Sequence, residues 1–302
     1  MTPAPAHGRR VVIATRRSPL ARTQTAWVAG RLRSAGFAVE ILELVTTGDR
    51  WSASGAADAT RGLFVKELEE ALLDGRADIA VHSAKDLPVE LPPGLGVVAV
   101  PEREDPHDVL IGSPGGLVAL GPGARVGTGS ARRVAQVRRL RPDVECVEIR
   151  GNVGTRLEKL DRGEADALVL AAAGLNRLGI APAGAVMLSV DECVPAPGQG
   201  ALALEGRIDD PVGTAIAAAI DDAETRRCLG IERRVLLGLG GGCREPIGVH
   251  ARVGTEGVEV RVFAATEDHS RQIRDEVTLI GDGDDMAPVD ALIARVAHAL
   301  TS

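Results

Sequence analysis

The chain is predicted to be an α/β protein with two similar halves and a smaller third α/β unit, on three observations. The first is a strand–helix–strand order near the start: RRVVIAT (Arg9 to Thr15), a helix over Leu20 to Ala35, then FAVEILELVTT (Phe37 to Thr47). That spacing makes a βαβ unit and implies a parallel sheet. The second is an internal repeat. LLDGRADIAV (Leu72 to Val81) and KLDRGEADALV (Lys159 to Val169) share a helix end, a glycine, Ala-Asp and a strand. The third is a pair of segments suited to carrying the chain from one half to the other, near 101–107 and 195–202. The expected domains are 9–102 with 201–222, then 103–200, then 223–302. Two such halves suggest a clamshell with a ligand in its cleft.

The elements follow in order. Residues 1–8 read as a disordered lead. Ser18 suits a helix N-cap and Pro19 the first helical position, and Gly36 stops the helix. Residues 48–62 are small and polar, and read as an active-site lid or a passive connection. Leu63 to Gly75 has helical spacing and ends at glycine. Ala77 to Ser83 is a buried strand that runs straight into Ala84-Lys85-Asp86-Leu87-Pro88, and Leu95 to Val100 is another strand. Pro101 to Asp108, rich in proline and charge, is the first crossing. In the second half, Ala124 to Ser130 is strand then loop, with Ser130 as N-cap of a helix over Ala131 to Leu140. Val144 to Arg150 is a strand, Gly151 to Gly163 carries a helix, and Ala165 to Gly179 holds a strand and a short helix. Pro195 to Glu205 is the return crossing. A helix from about Glu224, the strands IGVHARV and VEVRVFAAT, and a last helix over Pro288 to Leu300 make the third unit.

Composition narrows the function classes. With 302 residues, 45% hydrophobic and 25% charged, the chain has room for two or three ordinary globular domains. Tyrosine is absent and aromatics are scarce, so the core must be aliphatic. The four cysteines, Cys146, Cys193, Cys228 and Cys243, show no metal or disulfide spacing and read as reduced thiols. With no apolar signal segment in MTPAPAHGRR and no run near ~20 apolar residues, the expectation is a cytoplasmic protein without a membrane span. A net charge of −7 argues against nucleic acid. Only Lys66, Lys85 and Lys159 are lysines; the rest of the 35 basic residues are arginine. Arginine clusters in an acidic protein suit a small polyanion.

Several residues carry possible chemistry. In GGGCREPIG (Gly240 to Gly248), Cys243 follows three glycines at a helix end, beside Arg244. There a thiol can become a nucleophilic thiolate; the other reading is a buried cysteine in a glycine-rich turn. Lys85 and Asp86 follow the C-terminal end of a buried strand, where sites of parallel α/β sheets sit. Asp86 suits a general acid/base or a stabiliser of positive charge, or else a turn aspartate before Pro88. Arg132 and Arg133 fall in the first turn of a helix, against its dipole, so an anion there would relieve the conflict. Arg138, Arg139 and Arg141 read as a solvated face. Arg16 lies in the equivalent loop of the first half. Arg150 ends a strand and Arg156 begins a helix, each placed to hold a carboxylate. His82 reads as a packed strand residue. No metal-ligand cluster stands out.

IATRRSPLA, GLFVKELEEALLDGRADIAVHSAKDLP, VGTGSARRVAQV, IRGNVGTRL, LAAAGLNRLG, PAPGQGA and GGGCREPIG occur in this order from about residue 9 to beyond 250. Together they resemble the porphobilinogen deaminase (hydroxymethylbilane synthase) family. The resemblance implies three α/β domains. The first two are periplasmic-binding-protein-like lobes with mainly parallel sheets, and the smaller third carries the cofactor cysteine. It implies a dipyrromethane cofactor held on Cys243 by a thioether, made from substrate and used as a primer. Four porphobilinogen units would be added with loss of ammonia, and hydroxymethylbilane released by hydrolysis, in tetrapyrrole synthesis. Asp86 would assist deamination and stabilise positive pyrrole nitrogens. Arg16, Arg132, Arg133, Arg150, Arg156 and Arg177 would bind carboxylates. Ser18, Lys85, Thr128, Ser130 and Gln199 would contact cofactor or substrate side chains. A monomer is implied.

The chain departs from the family pattern at three places. Thr60-Arg61-Gly62 stands where Gly-Lys-Gly is usual, His107 where arginine is common, and Asp221 to Thr225 lacks a histidine often found before Glu-Thr. The rival class is a clamshell protein that binds a small polycarboxylate without turnover. It would need neither Cys243 nor Asp86.

Overall fold

The computed structural model describes residues 10–45, 65–241, 245–280 and 286–302. The expected lead at 1–8 and loop at 48–62 lie outside the described residues. The strands are β1 (Arg10–Arg16), β2 (Ala38–Leu44), β3 (Ile79–Ser83), β4 (Leu95–Ala99), β5 (Asp108–Ile111), β6 (Arg125–Gly127), β7 (Glu145–Val147), β8 (Ala167–Ala171), β9 (Val186–Leu188), β10 (Leu202–Arg207), β11 (Ile247–Val253), β12 (Gly257–Ala265) and β13 (Gln272–Ile280). The described helices are α1 (Pro19–Ser34), α2 (Lys66–Leu73), α3 (Ala131–Leu140), α4 (Val153–Asp161), α5 (Ala172–Arg177), α6 (Pro211–Ile220), α7 (Ala223–Gly238) and α8 (Ala287–Thr301). The chain divides into two compact units, Met1–Arg103 with Ala201–Arg226 and Glu104–Gly200 with Arg227–Ser302.

In the first unit the sheet order is β2-β1-β3-β10-β4. β1 pairs in parallel with β2 and β3, and β10 is antiparallel to both β3 and β4, so four strands share one direction and β10 is reversed. Alternation sends Val11, Ile13, Ile79, Val81, Leu202 and Leu204 to one face, where Val28 and Leu32 of α1 and Val212 and Ile216 of α6 cover them. Ala14 and Ala80 take the other face beneath Leu68, Ala71 and Leu72 of α2. Each large aliphatic side chain buried this way contributes about 1.5–3 kcal/mol. Ser18 caps α1 as expected, its Oγ accepting from Ala21 N at 3.3 Å.

The second unit repeats the plan with order β7-β6-β8-β5-β9, where β5 is the reversed strand. Leu110, Val126, Val169 and Leu188 pack with Val137 of α3 on one face. Val109, Ile111, Leu168 and Leu170 pack with Leu175 of α5 on the other. The Ala-Asp repeat has the same job in both sheets. Asp78 accepts from Val12 N at 2.7 Å, and Asp166 accepts from Arg125 N at 2.7 Å, each closing the start of a neighbouring parallel strand. The glycines before them, Gly75 and Gly163, have φ of +71° and +72°, the left-handed turn that ends α2 and α4.

The second unit also holds the antiparallel sheet β11-β12-β13, with Val289, Leu292 and Val296 of α8 buried. Phe263 and Ala265 of β12 pack with Ala135 of α3 and with Val194. Buried Glu232 of α7 accepts from Gly198 N at 2.6 Å and Ala251 N at 2.8 Å. These contacts bind the C-terminal sheet to residues of the second half.

The structure adds what the sequence reading lacked. Both crossings end in strands, β5 and β10. β9, β13 and α6 also went unread. Arg141 is no solvated residue: it donates to Leu120 O at 2.7 Å and Asp143 Oδ2 at 2.7 Å. Ser130 has N-cap backbone geometry, yet its side chain makes no capping bond. Among the described residues no helix is long and apolar enough to cross a membrane.

Candidate active site

In the first unit, Lys85 and Asp86 lie in a one-turn 3-10 helix, Ala84–Asp86, that begins where β3 ends. Two ties hold the turn. Ala84 N donates to Ala201 O at 3.0 Å, and Leu87 N donates to Ala84 O at 3.3 Å. Just before it, Ser83 exchanges hydrogen bonds with the buried amide of Gln24, at 2.8 and 3.2 Å. Leu87 is buried while Asp86 is exposed and Lys85 half-buried. A carboxylate on a rigid turn at the C-terminal end of a parallel strand is open to a substrate. Arg16, half-buried, ends β1. Its strand end is braced by Thr15, whose Oγ1 accepts from Thr25 Oγ1 at 2.7 Å in the core.

In the second unit, the structure brings Arg132, Arg133 and Gln199 to one carboxylate that the sequence reading missed. Asp108, the first residue of β5, is wholly buried. Its Oδ2 accepts from Arg132 Nη1 at 2.7 Å and from Cys193 Sγ at 3.1 Å. Its Oδ1 accepts from Arg133 Nη2 at 2.7 Å, Arg133 Nε at 3.1 Å and Gln199 Nε2 at 2.9 Å. The anion expected at the start of α3 is therefore met from within the protein. Burial opposes charge on Asp108, but the two guanidinium groups outweigh it and hold its carboxyl far below the usual range. Burial, then the charge of Asp108, pushes the Cys193 thiol up to about 12, so it stays protonated and can donate.

The other candidates of this unit make separate local contacts. Thr128 Oγ1 accepts from Ser130 N at 3.3 Å. Arg150 is exposed and donates to Glu148 Oε1 at 2.6 Å. Arg156 donates to Gly151 O at 2.7 Å. Arg177 donates to Gly200 O at 2.7 Å; burial lowers it to about 10, against the pull of Glu104. Gly200 has φ +87°, and a Cβ there would stand 2.2 Å from Glu104 O, so only glycine fits. Cys243 lies outside the described residues.

Asp108, Cys193 and Gln136, whose Oε1 accepts from Val194 N at 2.7 Å beside Cys193, are the members of this cluster that sequence reasoning passed over. The one available signal was the surplus of positive charge at the start of α3, which called for an acid without locating it. In the first unit the missed residue is Glu205. It is fully buried on β10, with His82 Nε2 at 3.0 Å. Neither of its oxygens has a hydrogen-bond partner among the described residues. Close approach without hydrogen-bond geometry is the better description of that pair.

The chain is similar to known proteins over most of its length. The family model described as "Porphobilinogen deaminase, dipyromethane cofactor binding domain" matches residues 11–214. The model of the C-terminal domain of the same enzyme matches residues 226–297. Porphobilinogen deaminase of Geobacter metallireducens is 44% identical over 269 residues, covering 88% of this chain and 85% of that protein. The enzyme of Pelobacter propionicus is 43% identical over 302 residues, covering 97% and 96%. That of Caulobacter vibrioides is 48% identical over 258 residues, covering 84% and 80%. The matches run through both units, and the chain belongs to the porphobilinogen deaminase family.

Proposed function

We propose that the chain is a transferase, a hydroxymethylbilane synthase. It joins four porphobilinogen molecules head to tail, releases ammonia at each addition, and serves tetrapyrrole and heme biosynthesis. The observation that carries this reading is the pair of family matches over 11–214 and 226–297, with Asp86 kept on an exposed turn at a strand end. It acts as a cytoplasmic monomer, as the family resemblance implies.

The residues present fit a dipyrromethane. Such a group carries several carboxylates, and the second unit sets two guanidinium groups against one carboxylate. The Nε of Arg132 is buried with no hydrogen-bond partner among the described residues. When bound, the group supplies a free pyrrole carbon as nucleophile and keeps the growing chain covalently attached. Cys243 would hold it as a thioether. Arg132, Arg133, Lys85, Thr128 and Ser130 would bind and orient it. Arg16, Ser18, Arg150, Arg156, Arg177 and Gln199 would hold substrate acetates and propionates through charge-assisted bonds.

Asp86 does the proton and charge work. Loss of ammonia from porphobilinogen breaks the aminomethyl C–N bond and leaves an electrophilic methylene pyrrole with positive charge on its nitrogen. An exposed carboxylate on a rigid turn stabilises that charge and can accept the pyrrole proton.

Intact mass of the purified protein, with peptide mapping around Cys243, tests the reading. The expected result is a covalent dipyrromethane on Cys243, present at isolation or after incubation with porphobilinogen. A cysteine that stays bare overturns it. Asp86→Asn is expected to keep the adduct and lose at least about 100-fold in turnover; substantial activity would remove Asp86 from the chemistry.

A further inference from the structure

Three residues that the family motifs single out, Arg132, Arg133 and Gln199, meet on Asp108. Five donor contacts converge on this one carboxylate, including the Cys193 thiol. The backbone of Asp108 is anchored, because it pairs with Ala171 of β8 and Leu188 of β9. Arg132 and Arg133 are only 3% and 5% exposed. Their charges do not cancel. Among the described residues two guanidinium groups face one carboxylate and a neutral thiol, which leaves one positive charge over in a buried place. A buried charge without a partner is costly. The Nε–H of Arg132 is likewise buried without an acceptor among the described residues. Both features point to one more anion.

We propose that Asp108 is a positioning residue for carboxylate binding. It clamps Arg132 and Arg133 so that together they present a single surplus positive charge, and the open Nε–H of Arg132, to one carboxylate of the pyrrole chain. The inference rests on the reading that these arginines hold cofactor or substrate carboxylates. Asp108 acts through them. Without it, two like charges side by side would repel each other and lose their fixed orientation. Gln199, which also donates to Pro106 O at 2.6 Å, ties the same carboxylate to the PAPGQGA segment.

The test uses the full chain and porphobilinogen. Adduct formation is followed by intact mass, and KM and kcat are measured at several sodium chloride concentrations. Asp108→Glu keeps the charge but moves the oxygens by one methylene. It is expected to slow adduct formation and raise KM by roughly tenfold to a hundredfold, with kcat less affected. Asp108→Asn raises the surplus charge, so its KM is expected to climb more steeply with salt than that of the parent. A purely structural residue would lower the melting temperature and leave that salt slope alone. Parent-like adduct formation, KM and salt slope in both variants overturn the proposal. If neither variant folds, the parent decides: a KM that does not change with salt overturns the surplus charge, and a rising KM supports it. Arg132→Gln and Arg133→Gln separate the underlying reading. If they leave adduct formation and KM unchanged, the arginines hold no carboxylate and both claims fall. If they impair both while the Asp108 variants do not, only the role of Asp108 falls.

Discussion

Each five-stranded sheet has one reversed strand, and each reversed strand carries a fully buried acid: Glu205 on β10 and Asp108 on β5. The two are built in opposite ways. Asp108 sits at the end of its strand and is saturated by guanidinium, amide and thiol donors. Glu205 lies inside its strand, opposite Ala80, on the sheet face that α2 covers. It has His82 beside it and no hydrogen bond among the described residues. Burial and then the negative charge of Glu205 push Glu69, on α2, up to about 7. The shared topology sets where an acid is buried. The donors around it decide whether it anchors cations or spreads its charge to neighbouring protons.

The largest test of that contrast is Asp108→Ala. It leaves two buried guanidinium groups without their anion and is expected to cost about 3–5 kcal/mol in denaturant unfolding. A loss below about 1 kcal/mol would put Asp108 level with Glu205 and break the comparison. The depressed carboxyl adds a pH signature. Its stabilisation is complete above the ordinary value of 3.8 and is lost as pH falls below it, so the parent should lose stability in acid faster than Asp108→Asn. Glu205→Gln strands no buried cation, and is expected to leave stability unchanged or raised.

Glu69 sharpens the contrast from the other side. Its raised value favours the protonated form in the folded state. Stability from Glu69 is full below about 4.5 and declines as pH rises to about 7. Glu69→Gln should abolish that decline, measured by melting temperature against pH; a parent profile flat over this window would show that neither burial nor Glu205 raises this carboxyl. The smallest effects concern the caps. Ser18→Ala should cost about 0.5–1 kcal/mol, whereas Ser130→Ala, whose side chain makes no capping bond, should cost a few tenths at most.

Local rules made much of this legible. Ser18-Pro19 marked the start of α1, and Ala131 to Leu140 was read with the bounds that α3 has. The Ala-Asp repeat revealed the duplicated sheet because each aspartate does the same job on a neighbouring strand. β5 and β10 escaped because each follows directly on a crossing. DVLI is too short and too close to PEREDP for alternation to appear, and ALALE reads as the tail of PAPGQG. Asp108 was invisible for a related reason. Glu102, Glu104 and Asp105 share its segment, and nothing local ranks one above another. Its partners come from residues 132, 133, 193 and 199, and only the folded sheet brings them together. The excess charge at Arg132 and Arg133 was readable; the identity of the acid that answers it was not.

The place of β10 has a consequence for how the chain is made. It lies between β3 and β4, yet it follows them by the whole sheet of the second unit. A ribosome adding ~5–20 residues per second needs on the order of ten seconds to pass from Ala99 to Leu202. Until Leu202 is made, β3 and β4 lack the partner that joins them, and β5 to β9, which span Asp108 to Leu188, are made in the same interval. The half that emerges first is thus the half that closes last. Nascent chains stalled between these two points are where a chaperone would find an exposed strand edge to protect.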